Sequence, residues 1–234
     1  MKTVTRTYKT INVLPVGTIS KPDFKIIPIT KQIPVQVKKG MKGLKKTSDY
    51  IDYDKAMLKG QELLWNDKEM IIGFYIILSV NTGLRVSDVK NIKHSDLARL
   101  DAGDYLTIQE QKTKKVRKIQ INEKIIEAYK YLSGKLQEQG NFKMDACIFT
   151  SQKNTVFATV SLNRILKQHF AGYAPNISTH SLRKSFGRRV YELNGESENA
   201  LIVLSEMFCH SNMAITRRYL GIRQQQIDDI YMSL

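Results

Sequence analysis

Phe208-Cys209-His210-Ser211-Asn212-Met213-Ala214-Ile215-Thr216-Arg217-Arg218-Tyr219-Leu220-Gly221 is the stretch on which the reading of this chain turns. It sets a histidine and a tyrosine nine residues apart. On one straight helix that spacing is about two and a half turns, which points the two side chains to opposite sides. Ser211 and Asn212 are favoured helix caps. The stretch therefore predicts that His210 ends one helix while Tyr219 closes the next, so that both reach one place. Alone, Tyr219 reads as a packing aromatic and Arg217-Arg218 as a solvated face, so the rest of the chain must decide.

Ser178-Thr179-His180-Ser181-Leu182-Arg183 predicts a helix opened by a Ser or Thr cap, with His180 and Arg183 on one face. Free backbone N–H groups and the positive dipole end make such a helix start a good place for a phosphate. Further upstream, Asn81-Thr82-Gly83-Leu84-Arg85-Val86-Ser87-Asp88 sets Arg85 just after a glycine break. Asp88, three residues on, is expected to orient its guanidinium. Either pair by itself reads as a surface ion pair.

The composition points the same way. Lys and Arg number 37 against 22 Asp and Glu, a formal charge of +15, which attracts a polyanion by counterion release. With 234 residues and 42% hydrophobic content the chain can bury a real core. Cys147 and Cys209 have neither metal-ligand spacing nor the density of a disulfide scaffold, which fits a reducing compartment. The N-terminus has no secretory pattern, and the apolar run from Met70 to Val80 falls well short of the roughly 20 residues that span a bilayer. No membrane role is expected.

Residues 1–50 carry 11 Lys or Arg against two acidic residues, with Pro15, Pro22, Pro28 and Pro34 recurring. Prolines so dense exclude a helix and predict an extended basic arm. Residues 51–234 then form the main domain. Helical patterning begins near Tyr50, with Ala56, Leu58, Leu63 and Leu64 apolar, and Asp67 is expected to cap a helix running to about Val80. A short helix is expected over 85–92. Tyr105–Gln109 and Val116–Ile121 alternate apolar and polar residues around Lys112-Thr113-Lys114, which predicts a basic-tipped hairpin. Helices follow near 123–138, 159–171, 179–193, 197–208, 212–219 and 223–232. The last one carries Ile227, Ile230, Tyr231 and Leu234 at helical spacing. The fold class is mixed α+β, mainly helical with a small antiparallel β-hairpin.

Arg, then a Lys-tipped hairpin, then His-x-x-Arg, then His, then Tyr, within 135 residues, is an order that resembles the tyrosine recombinase or phage integrase family, over about 55–222. The resemblance implies the DNA breaking-and-rejoining catalytic fold and assigns catalytic roles to Arg85, Lys112, His180, Arg183, His210 and Tyr219. Lys114, Lys115 and Lys118 remain alternatives for the hairpin lysine. Tyr219 is implied to attack the scissile phosphate, leaving a 3′-phosphotyrosyl DNA and a free 5′-hydroxyl. Neither a metal nor a nucleotide cofactor is implied. The implied partners are double-stranded DNA and further copies of the chain, in a tetramer at synapsis, with the segment after Tyr219 docking on a neighbour or on its own core. The implied setting is the cytoplasm of a prokaryote, on a phage or mobile element, where the reaction integrates, excises or inverts DNA.

The chain departs from the family pattern in three places. Cys209 stands where glycine is common, and Lys184-Ser185 stand where His-Thr is common. Only about 50 residues precede the catalytic domain, where many members carry a helical DNA clamp. Two other readings share these residues: a DNA-binding or structural protein that keeps the fold, and a topoisomerase-like enzyme that relaxes DNA by the same chemistry.

Overall fold

A computed structural model describes Lys21 and residues 47–234. Apart from Lys21, the expected arm lies outside the described residues up to residue 46. Helix α1 (Tyr53–Leu64) starts on Asp52, whose carboxylate accepts the Lys55 N–H at 3.0 Å. Helix α2 (Met70–Thr82) buries eleven of its thirteen residues, the pattern of a helix sunk in a core. No helix among the described residues is long and apolar enough to cross a membrane. The α1 and α2 backbones approach closely at Gly73, where a Cβ would lie 2.2 Å from the Leu64 nitrogen.

Two single-turn helices follow, α3 (Val86–Val89) and α4 (His94–Leu97), and then the hairpin of β1 (Tyr105–Gln109) and β2 (Val116–Gln120). Its strands are antiparallel, with Tyr105 opposite Gln120 and Gln109 opposite Val116. The remainder is helical: α5 (Glu123–Glu138), α6 (Thr159–His169), α7 (Thr179–Leu193), α8 (Glu198–Phe208), α9 (Met213–Leu220) and α10 (Ile222–Ser233).

The buried side chains form two cores. In the larger, Phe74 stacks on Phe149 at 5.8 Å and Tyr75 meets Phe149 edge-on at 5.5 Å, a geometry that adds to the burial of apolar area. The smaller gathers Phe186, Tyr191, Leu201, Leu204, Phe208 and Leu220 from α7, α8 and α9. Helix α7 joins them, with Leu182 in the larger core and Phe186 in the smaller. Ahead of α1, Lys184 Nζ donates to the Ser48 carbonyl at 2.6 Å, and Asp49 and Asn176 bond reciprocally at 2.9 and 3.0 Å. The chain is thus already part of the folded unit at Ser48, a few residues before the expected boundary.

Several local expectations are corrected. Asp67 does not cap α2, because a turn over 66–69 intervenes, in which Asn66 bonds to Lys68 and Glu69, and Glu69 is the first flanking residue. The helix expected over 85–92 shrinks to the single turn α3, and α4 was not foreseen. Leu58 is exposed, unlike Ala56, Leu63 and Leu64.

Gly83 ends α2 in the left-handed region, with φ 59°, and a Cβ there would lie 2.3 Å from the Phe186 ring. A side chain would meet both backbone strain and a filled interface. Gly83→Ala is expected to lower stability by about 2 to 3 kcal/mol, read as a drop in the urea midpoint at unchanged m-value.

Candidate active site

The break between α8 and α9 builds one wall of the site. Helix α8 stops at Phe208 because Cys209 turns left-handed, with φ 52°, and the N–H groups of Cys209 and His210 reach back to the carbonyls of Glu206 and Ser205. Asn212 then caps α9 by accepting the Ile215 N–H at 3.1 Å. The break expected at Ser211-Asn212 is therefore present. It brings the His210 and Tyr219 rings to 5.5 Å, edge to face, with the Phe208 ring 5.5 Å from the first and 5.7 Å from the second.

The Phe208 carbonyl, left without a donor at the end of α8, accepts from Arg85 Nη2 at 3.0 Å and from Arg183 Nη2 at 3.3 Å. Arg183 also donates through Nη1 to the Gly83 carbonyl, and its guanidinium lies 4.2 Å from the Phe208 ring centroid. Two arginines far apart in the sequence thus meet at one oxygen. Asp88 does not orient Arg85, contrary to the sequence expectation. Its Oδ1 accepts the Gln111 N–H at 2.9 Å, and Arg85 Nη1 pairs with Glu110 Oε2, also at 2.9 Å. The carboxylate three residues along α3 secures the hairpin, and one brought in by the hairpin secures the arginine.

His180 begins α7, which Ser178 caps by accepting the His180 N–H at 3.1 Å, with Ser181 returning a bond to the Ser178 N–H at 3.0 Å. Its pKa lies below the ordinary value, first through desolvation and then through the charges of Arg183, Lys184, Arg85 and Lys112. Lys112 itself is exposed on the hairpin tip. Of the four hairpin lysines it is the one whose charge bears on His180. His210 Nδ1 bonds to the buried Thr216 hydroxyl at 2.8 Å, which fixes the ring plane. Its pKa is also lowered, by desolvation and then by Arg183 and Arg85.

The Tyr219 hydroxyl is buried and lacks a well-formed hydrogen bond among the described residues. Burial pushes its pKa up to about 12, against the pull of Arg183 and Arg85. The structure therefore brings Arg85, His180, Arg183, His210 and Tyr219 together around Phe208 and the start of α7, with Lys112 at the edge. No group of three or more His, Cys, Asp or Glu side chains suited to a metal ion occurs among the described residues.

Sequence reasoning missed four features: the Phe208 carbonyl, Thr216, Lys184 and Glu110. Lys184 is buried, with its ammonium 5.1 Å from the Tyr219 ring centroid, where a cation is attracted to the ring face. For Glu110 a signal existed. It continues the alternation of Leu106 and Ile108, so a carboxylate falls on the strand face that turns to the core.

The model of the phage integrase family matches residues 54–226. The chain belongs to that family. It is thereby a tyrosine-type site-specific recombinase by class. Among curated proteins, the probable integrase/recombinase YoeC of Bacillus subtilis (strain 168) is 31% identical over 151 residues, 64% of this chain and 76% of that protein. Among solved structures, XerA recombinase aligns with a TM-score of 0.56 at 20% identity, over 81% of this chain and 66% of its own. XerH site-specific recombinase, in a pre-cleavage complex with difH substrate, aligns at 0.59 and 20% identity, over 80% and 55%. A lambda integrase dimer bound to a COC' core site aligns at 0.51 and 19% identity, over 76% and 60%. The phage integrase catalytic fold is thus common to all three, and this chain spans between about half and two thirds of each.

Both site histidines titrate below the usual histidine range in the free protein, with a definite consequence for stability. As pH falls through about 6.5 the unfolded chain takes up protons that the folded chain refuses, so each histidine removes stability below that pH. NMR titration without DNA should give midpoints below about 6.5 for His180 and His210. Midpoints above that value would contradict the site geometry.

Proposed function

We propose that this chain cuts and rejoins double-stranded DNA at specific sites through a covalent bond between Tyr219 and the 3′-phosphate. The observation that carries the proposal is the meeting of Arg85 and Arg183 at the Phe208 carbonyl, next to the paired His210 and Tyr219 rings. Arg85 and Arg183 meet at this neutral oxygen, and with Arg117 they outnumber the Glu110 carboxylate, so donors and positive charge remain for an anion, and a phosphodiester has a geometry that guanidinium groups bind well. A basic chain brings such an anion to them by counterion release.

The steps follow from the groups available. Arg85 and Arg183 hold the non-bridging oxygens and stabilise the charge that grows on them in the pentavalent transition state, where one such donor is worth roughly 3 to 4 kcal/mol. His210, oriented by Thr216 through Nδ1, offers its other nitrogen to the same oxygens. Tyr219 Oη bonds to phosphorus as the P–O5′ bond breaks. His180, neutral at pH 7 because its pKa is depressed, accepts the phenol proton, and Lys112 protonates the leaving 5′-oxygen. The bond energy stays in the phosphotyrosine, so a 5′-hydroxyl from another strand can attack it and restore a phosphodiester without ATP. Exchange between two duplexes distinguishes this reading from DNA relaxation by the same chemistry.

The working unit is proposed to be a DNA-bound homo-oligomer, a tetramer at synapsis. On α10, Ile230 is 60% exposed, Tyr231 73% and Leu234 99%, so these apolar groups are not covered by their own core and suit a second copy. Ile222, by contrast, is buried in the smaller core and anchors the helix start. The bacterial relative supports a place on DNA in a prokaryotic cytoplasm, on a phage or mobile element.

A suicide DNA substrate, nicked so that the cleaved piece is lost, should yield a covalent adduct with this chain and none with Tyr219→Phe. DNA affinity should stay within about twofold, since no phosphate-binding charge is removed. An adduct that persists in Tyr219→Phe would overturn the assignment. Deletion of residues 223–234 should leave a folded monomer that binds single sites, while cooperative assembly on paired sites falls at least about tenfold. Unchanged cooperativity would return α10 to its own chain.

A further inference from the structure

We propose that Glu110 is a positioning residue of the recombination site, holding the Arg85 guanidinium in its phosphate-binding orientation and tying it to the hairpin that carries Lys112. The proposal rests on the function given above, but its geometry stands independently. Glu110 directly follows β1 and is only 1% exposed. A carboxylate at that depth must be paired, because an isolated charge there costs several kcal/mol.

Its partners belong to four different parts of the site. Oε2 accepts from Arg85 Nη1 at 2.9 Å and from the Thr113 hydroxyl at 2.7 Å, the Cys209 thiol reaches the same oxygen at 3.9 Å, and Oε1 lies 3.5 Å from Arg117 Nη1 on β2. The Glu110 backbone closes the turn, its N–H donating to the Lys115 carbonyl and its carbonyl accepting from the Lys114 N–H, both at 2.9 Å. The residue that fixes Arg85 is thus the one on which the Lys112 turn is folded. Arg85 Nη1 faces Glu110 and Nη2 faces the Phe208 carbonyl, so the plane of the guanidinium is set from two sides.

This arrangement separates binding from catalysis. Removing the Glu110 charge leaves Arg85, Arg117 and Arg183 less neutralised, which favours a polyanion, while Arg85 loses the partner that aims it. A misaimed donor weakens the transition state more than the ground state.

Glu110→Gln and Glu110→Asp test the proposal in the full chain. In single-turnover cleavage of the suicide substrate, Glu110→Gln is expected to be slower by about 10- to 100-fold, with the DNA dissociation constant equal to or below that of the unaltered protein. In an Arg85→Ala background the same change should cost less than about threefold more, because Glu110 acts through Arg85. Glu110→Asp, which keeps the charge but draws it back by one methylene, should fall between the two and covers the case in which Gln does not fold. A rate equal to that of the unaltered protein in both variants, or a full additional loss in the Arg85→Ala background, would overturn the proposal.

A readout free of catalysis separates this proposal from the functional reading. In ¹⁵N NMR, Arg85, identified by its loss in Arg85→Lys, should give resolved side-chain N–H signals that collapse in both Glu110 variants. If they persist unchanged, Glu110 does not hold Arg85, whatever the enzyme does. If the unaltered protein forms no adduct while the Arg85 signals still depend on Glu110, the functional reading fails and the positioning stands.

Discussion

One carbonyl oxygen organises the site. Because Cys209 turns out of the helix, the Phe208 carbonyl keeps its lone pairs and receives Arg85 from one side and Arg183 from the other. Two guanidinium groups repel, and a neutral oxygen gives them a common anchor while the Glu110 carboxylate balances only part of their charge. The same turn sets the His210 ring beside Tyr219. Had α8 continued for one more turn, this carbonyl would have been spent inside the helix and His210 carried away from the tyrosine.

The electrostatics of the site follow from that anchor. Desolvation and neighbouring arginines lower the pKa of His180 and of His210, and desolvation brings Arg183 down to about 10. Tyr219 moves the other way, to about 12, through burial. Each of these groups is pushed toward its neutral form. An anion between the arginines changes the balance for all of them together, so the site is tuned as one unit.

The side chains gathered at the candidate site were far more legible in the sequence than the contacts that hold them. The cap at Ser178, the hairpin strands and the interruption at Ser211-Asn212 are local, set by residues within a few positions of one another, and each could be read from the chain. Asp88 failed as the partner of Arg85 because helical spacing predicts neighbours only where a helix persists, and α3 is one turn long. Glu110 and the Phe208 carbonyl are brought to Arg85 across 25 and 123 positions, contacts that no local pattern encodes. Lys184 stands where histidine is common in the family, and its place over the Tyr219 ring follows only from the packing of α7 on α9.

On the proposed chemistry, the two cores would divide the labour of holding broken DNA. Tyr219 lies one residue before the end of α9, an eight-residue helix whose buried contacts belong to the smaller core. The hairpin rests on the larger core through Leu106, Ile108 and Ile119. On the proposed chemistry, a severed strand therefore has its 3′ end tethered to one body and its 5′ end released beside the other. The load between them passes through α7 and through the two arginines at Phe208. Tension in the duplex would act on that joint as on a hinge pin, and the stiffness of a few hydrogen bonds would decide how far the severed ends can drift before they are resealed.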